Sequence, residues 1–254
     1  MSLEIDFIGH ATLLIELDGV RVLTDPATRA RIGPLRRVVP VPDRHRLIDL
    51  DLIVVSHLHW DHLDLPSLRD RGTTTPIVVP VGAGSWLRSQ GFDDVRELPV
   101  GERVEIGSVV IEAVPARHNG RRPPNGPSAA TIGFVLRGSR SVYFAGDTDL
   151  FDDMADLAAP RHDVALVPVW GWGPTLGRGQ HLDPERAAEA VRRIRPRMAV
   201  PIHWGTYWPM AMGRVLPARL SDPPAAFAEH VRERAPDVRV LLTEVGERVG
   251  LPRV

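Results

Sequence analysis

The chain contains no cysteine. That single absence removes thiolate nucleophiles, disulfides, iron–sulfur clusters and every cysteine-ligated zinc site. Lysine is missing too, so all 31 Lys+Arg residues are arginine. A P-loop lysine and a Schiff-base lysine are therefore excluded, although the absence itself reads as composition bias. Gly-x-Ser-x-Gly does not occur, which disfavours a serine hydrolase of the α/β-hydrolase type. Gly82-Ala83-Gly84 opens an expected helix, but Leu87 stands where a dinucleotide fingerprint needs its third glycine. A net charge of −1 argues against nucleic-acid binding driven by bulk charge. No apolar run approaches spanning length and no basic-plus-apolar leader is seen. The expectation is a cytoplasmic protein without stable membrane insertion, with homo-oligomerisation left open.

At 254 residues the chain is long enough to bury a large core. Its beginning reads as a meander, with strands at Leu3 to Ile8, Thr12 to Leu17 and Val20 to Leu23 and a turn at Asp18-Gly19. Pro26 to Arg46 is rich in arginine and proline without periodicity, and reads as a long surface loop. Further strands are expected at Ile77 to Val79, near Val104, and at Val109 to Val114. Short helices are expected at Leu65 to Arg69 and Ser85 to Gln90. A second series follows, with strands at Thr131 to Leu136, Ser141 to Ala145, Val164 to Val167, Met198 to Ile202 and Val238 to Leu242. Its helices are expected after Asp149, at Pro184 to Ile194 and at Pro223 to Arg234. Two halves of this kind fit two sheets packed face to face with helices outside both. No clean linker divides them, so residues 1–254 are read as one domain.

The strongest signal is His57-Leu58-His59-Trp60-Asp61-His62, directly after the apolar run Asp51 to Ser56. Such a run reads as a buried strand delivering side chains at its carboxyl end. His57 and His59 are two apart, so an extended backbone points them the same way. Asp61 and His62 lie past a bend and address a second point. One cation cannot easily use all four, but two adjacent cations can. His118, Asp147 and His203 each follow a short apolar strand, and His181 precedes an expected helix start at Asp183-Pro184. Ligands in α/β folds gather at strand carboxyl ends, so these positions can converge on one cleft.

The pattern His57-x-His59-x-Asp61-His62, with His118, Asp147 in Phe-Ala-Gly-Asp-Thr, and His203, resembles the metallo-β-lactamase superfamily of metal-dependent hydrolases. Gly9-His10-Ala11-Thr12, Thr24-Asp25-Pro26, Pro115-Ala116-Arg117-His118, Gln180 to Glu185 and Ile202 to Thr206 resemble its N-acylphosphatidylethanolamine phospholipase D branch. The ascorbate-6-phosphate lactonase branch is a more distant likeness. The resemblance implies a four-layer αββα sandwich of two mixed sheets. It further implies that His57, His59 and His118 hold one metal, that Asp61, His62 and His203 hold a second, and that Asp147 bridges them. Imidazoles and carboxylates suit zinc, with manganese or iron as alternatives. Two such metal ions would generate a hydroxide nucleophile near neutral pH.

Asp61 is then both ligand and orienter of that nucleophile, and His181 a donor to the substrate or leaving group. Asp25 is expected to orient a ligating histidine, and His10, Arg117 and Trp172 to contact substrate. Arginines of 26–46, with Arg121 and Arg122, could fork a phosphate, though most read as solubilising surface. Trp170, Trp172, Trp204 and Trp208 flank the cleft; His45, His162 and His230 read as surface histidines. The reaction expected is hydrolysis of an ester-like bond in a small molecule, a phosphodiester first and a lactone or carboxylic ester second. A non-hydrolytic iron-binding redox or ligand-binding protein is the alternative of another class.

Overall fold

A computed structural model describes residues 2–170, 179–212 and 221–251. Among these residues the strands form three sheets. The first has six strands in the order β1 (Leu3–Gly9), β2 (Thr12–Leu17), β3 (Val20–Thr24), β6 (Leu52–Val54), β7 (Ile77–Val79) and β8 (Val95–Glu97). The second has seven: β16 (Arg239–Val240), β14 (Met198–Ile202), β13 (Val164–Pro168), β12 (Ser141–Phe144), β11 (Ile132–Arg137), β10 (Val109–Pro115) and β9 (Arg103–Ile106). Each begins as an antiparallel meander and continues with parallel strands, so both are mixed.

Period-two alternation explains the layering. Leu13, Ile15 and Leu17 of β2, with Leu52 and Val54 of β6, face the second sheet and meet Ile111, Phe134 and Phe144 in one core. Leu14, Ile53 and Val55 face the other way, against Leu68 of helix α1 (Leu65–Arg69) and Leu87 of α2 (Gly84–Ser89). The outer face of the second sheet carries α3 (Pro184–Ile194) and α4 (Pro223–Arg234). The four-layer αββα architecture is present.

Four expectations need correction. Residues 26–46 are not an unstructured loop: β4 (Arg31–Ile32) and β5 (Leu35–Arg37) form a hairpin that joins β15 (Tyr207–Pro209) in the third sheet. Two- and three-residue strands are too short to show a period. The segment after Asp149 is a 3-10 helix, Asp152–Ala158, and β16 is shorter than the expected strand. His162 is buried rather than on the surface, with Nδ1 against Ser141 Oγ and its ring stacked on Tyr143.

Candidate metal centre

Six of the candidate side chains follow the carboxyl end of a strand, whereas His181 precedes α3. His10 follows β1, Asp25 follows β3, and His57 comes three residues after β6. His118 follows β10, Asp147 follows β12 and His203 follows β14. The chain turns sharply there: His10, Asp25 and His203 adopt positive φ of 59°, 35° and 63°. Such backbone is uncommon for residues other than glycine and collects at functional sites. Gly146, at φ 59°, lets the Asp147 loop close on the His57 strand, because a Cβ there would sit 2.6 Å from Ser56 Cβ.

Asp147 is the hub. Its Oδ2 lies 3.2 Å from His62 Nε2, 3.7 Å from His181 Nε2, and 3.9 Å from both His57 Nε2 and His118 Nε2. Its Oδ1 lies 3.2 Å from His203 Nε2. Asp61 Oδ2 stands 3.7 Å from both His62 Nε2 and His203 Nε2, and His118 Nε2 stands 3.1 Å from His59 Nδ1. Donor atoms close enough to share a cation form four overlapping groups: His57-His59-His118, His10-Asp61-His62-His203, Asp25-His57-His62 and His118-Asp147-His181.

The remaining ring nitrogens fix the tautomers. His118 Nδ1 donates to the Gln180 carbonyl at 2.7 Å and His203 Nδ1 to the Trp170 carbonyl at 2.8 Å; a carbonyl can only accept. His62 Nδ1 donates to Asp25 Oδ2 at 2.6 Å. The Ser56 hydroxyl donates its one proton to Asp25 Oδ2 and so accepts from His57 Nδ1 at 3.0 Å. In the neutral imidazole each Nε2 is thereby the lone-pair nitrogen facing the centre. His57 Nε2, His62 Nε2 and both Asp147 oxygens are buried yet make no hydrogen bond, a costly state that a cation relieves. Zinc–nitrogen bonds of about 2.0–2.1 Å at tetrahedral angles separate neighbouring donors by about 3.3 Å, close to the shortest spacings here. The donor set fits two divalent cations.

The electrostatics follow. Burial alone would raise Asp61, but the imidazoles of His62, His10 and His203 hold its carboxylate well below the usual range. Asp147 is held down similarly, against burial, by His203, His62 and His181. Burial, then His62 and His118, keeps His57 neutral. Burial also works against charge on His203, yet Asp147 and Asp61 hold it up at about 9. His181 is one-tenth exposed, and burial lowers it to about 4 despite Asp147.

Other positions differ from expectation. His10 does not line the cleft: it is wholly buried behind Asp61, with Nε2 2.8 Å from Asp61 Oδ2 and its ring 3.7 Å from that of His203. Arg117 is exposed, its guanidinium at the Leu150 carbonyl and its backbone pinned to Thr148 Oγ1. Arg122 is not a phosphate fork, since Nη1 donates to the carbonyls of Leu58 and Leu63, within the ligand loop and just after it. Trp172 lies outside the described residues, while Trp170, Trp204 and Trp208 are nearly buried. Ser56 and the Gln180 and Trp170 carbonyls were not singled out for these roles. Only the adjacency of Ser56 to His57 hinted at one of them.

The model of the β-lactamase superfamily domain matches residues 20–204. The chain belongs to that superfamily. A UPF0173 metal-dependent hydrolase of Methanopyrus kandleri is 33% identical over 252 residues, covering 96% of this chain and 98% of that one. An N-acyl-phosphatidylethanolamine-hydrolyzing phospholipase D of Caenorhabditis elegans is 34% identical over 226 residues, covering 79% of this chain but 63% of the longer relative. Among solved structures, the metallo hydrolase Igni18 of Ignicoccus hospitalis superposes with a TM-score of 0.74 at 25% identity, covering 97% of each chain. This superfamily member is a metal-dependent hydrolase.

Proposed function

We propose that the hydrolase cleaves a phosphodiester at a dinuclear centre, with zinc as its metal. The observation that carries this is the convergence of His57, His59, His118, Asp61, His62 and His203 around Asp147, with the orienting ring nitrogens of four of these histidines already committed elsewhere. Similarity to a phospholipase D supports the phosphodiester. His57, His59 and His118 would hold one cation, Asp61, His62 and His203 the other, and Asp147 would bridge them. Bound divalent cations supply Lewis acidity to a phosphoryl oxygen and lower the pKa of water to about 7.

The protein's own groups do the rest. Asp61, with Oδ2 anchored by His10, offers its other oxygen to orient the attacking water. His181 is kept neutral by burial, so it serves as a hydrogen-bond donor to the substrate rather than as a proton reservoir. A fixed donor of this kind stabilises charge developing in the transition state.

The test is protein reconstituted with zinc, manganese or iron, its metal content measured, and assayed on bis-p-nitrophenyl phosphate and on simple lactones. Diester turnover at two metals per chain is expected. A large preference for lactones would transfer the same centre to carboxylic esters.

A further inference from the structure

The hairpin of β4 and β5 sets Arg31 directly opposite Arg36, and β15 sets Trp208 beside Arg36. Residues directly opposite share a face, and like charges in that position destabilise a sheet. Nearby arginines are accounted for. Arg29 pairs with Asp64, Arg44 with Asp70 and Arg46 with Asp6, while Arg37 is buried on the Ile8 and Pro40 carbonyls. Among the described residues no carboxylate pairs with Arg31 or Arg36, and both are exposed. Stretches 171–178 and 213–220 contain no Asp or Glu either.

This charged face is held in register with the metal centre from two sides. Trp208 stacks on Trp170 at 6.3 Å and 11° between planes, and the Trp170 carbonyl orients His203. The hairpin turn at Gly33, φ 51°, lies under Trp60, where a Cβ would be 2.5 Å from the ring. Trp60 stands in sequence between His59 and Asp61. A pair of guanidinium groups with no carboxylate partner among the described residues, on a hairpin whose Gly33 packs against Trp60 of the ligand loop, is suited to an anion on the ligand.

We propose that Arg31 and Arg36 form a clamp for a second anionic group of the substrate, a phosphate monoester remote from the bond that is cut. The proposal rests on the phosphodiester reading for the bond, but not for the clamp. The test uses p-nitrophenyl alkyl phosphodiesters of increasing arm length, ending in either phosphate or hydroxyl. At one arm length the phosphate-ended substrate should show a kcat/KM about tenfold higher, expressed in KM and lost at high salt. In the Arg31→Gln/Arg36→Gln protein the ratio should fall to about one, and the melting temperature should stay level or rise as repulsion is relieved. A ratio near one in the wild type, or a ratio that survives the double substitution, overturns the clamp. If neither series turns over, the phosphodiester reading fails. Calorimetric titration with the phosphate-ended alcohol then decides the clamp alone: binding lost in the double variant supports it, and binding absent from the wild type or unchanged in the variant sinks it.

Discussion

Asp25 takes hydrogen bonds from the Ser56 backbone N–H, the Ser56 hydroxyl and His62 Nδ1, all within 2.7 Å. Its oxygens are thus committed to aiming two histidines, His62 directly and His57 through Ser56. Carboxylates in this role are worth 10–100-fold in metal affinity. Asp25→Asn should therefore weaken binding of the second cation by about 10–100-fold in a competitive chelator titration while the protein stays folded. His181 makes a contrasting case. Its removal deletes a donor and spares the ligands, so His181→Ala should lower kcat by about 10²-fold with metal content unchanged; loss of metal would reassign it as a ligand. Protonation gives a further test. Without a cation, Asp147 leads the charges that hold His203 up at about 9 and His62 well above its ordinary value. His203 is thereby held protonated at pH 7, and a cation must displace that proton. Affinity should rise with pH until about 9, and loading at pH 7 should release protons. Calorimetry in buffers of different ionisation enthalpy measures them, and zero release would contradict the assignment.

Strands deliver the candidate ligands, but their spacing is set by connections between strand ends. Arg122 links two such connections, donating to the Leu58 and Leu63 carbonyls while its guanidinium lies over the Trp86 ring. Arg122→Met keeps an apolar stem on Trp86 and removes the donors. It should cost about 2 kcal/mol in chemical denaturation and reduce metal occupancy at limiting zinc; unchanged occupancy would show that loop and ligand strand are independent. How far such features could be read from the chain follows from their range. The candidate ligands are legible because four sit in one six-residue motif and the others follow short apolar strands. Carbonyl partners such as Gln180 and Trp170 were not, since a backbone oxygen leaves no mark on residue type. The β4–β5 hairpin escaped notice because its strands are too short for a period. His162 was misread because only its contacts with Ser141 and Tyr143 make it internal, and a lone histidine carries no such information.

At the scale of the molecule, β1 is the outer strand of its sheet, and such an edge invites pairing with other chains. Here the C-terminal segment occupies it. Phe7 N–H donates to the Glu247 carbonyl, while Gly246 and Val249 donate to the Phe7 and Ile5 carbonyls. Asp6 locks the arrangement, accepting from Arg248 Nε at 2.8 Å and pairing with Arg46 Nη2 at 3.1 Å; Arg248 also reaches Glu4. One carboxylate thus joins the first strand, the arginine-rich segment and the last residues of the fold. Burial alone would raise its pKa, but Arg248 and Arg46 together bring it below 3.8. A folded-state pKa lower than the unfolded one contributes stability above the unfolded value, and that contribution fades as pH falls through the folded value. Asp6→Asn should therefore lower the melting temperature at pH 7 and converge with wild type at pH values well below 3.8. Hydrogen exchange gives the spatial readout, with protection of the Phe7 and Val249 amides reduced first. If the two proteins differ by the same amount at every pH, the stability Asp6 provides comes from packing, and its charge does not hold the edge closed.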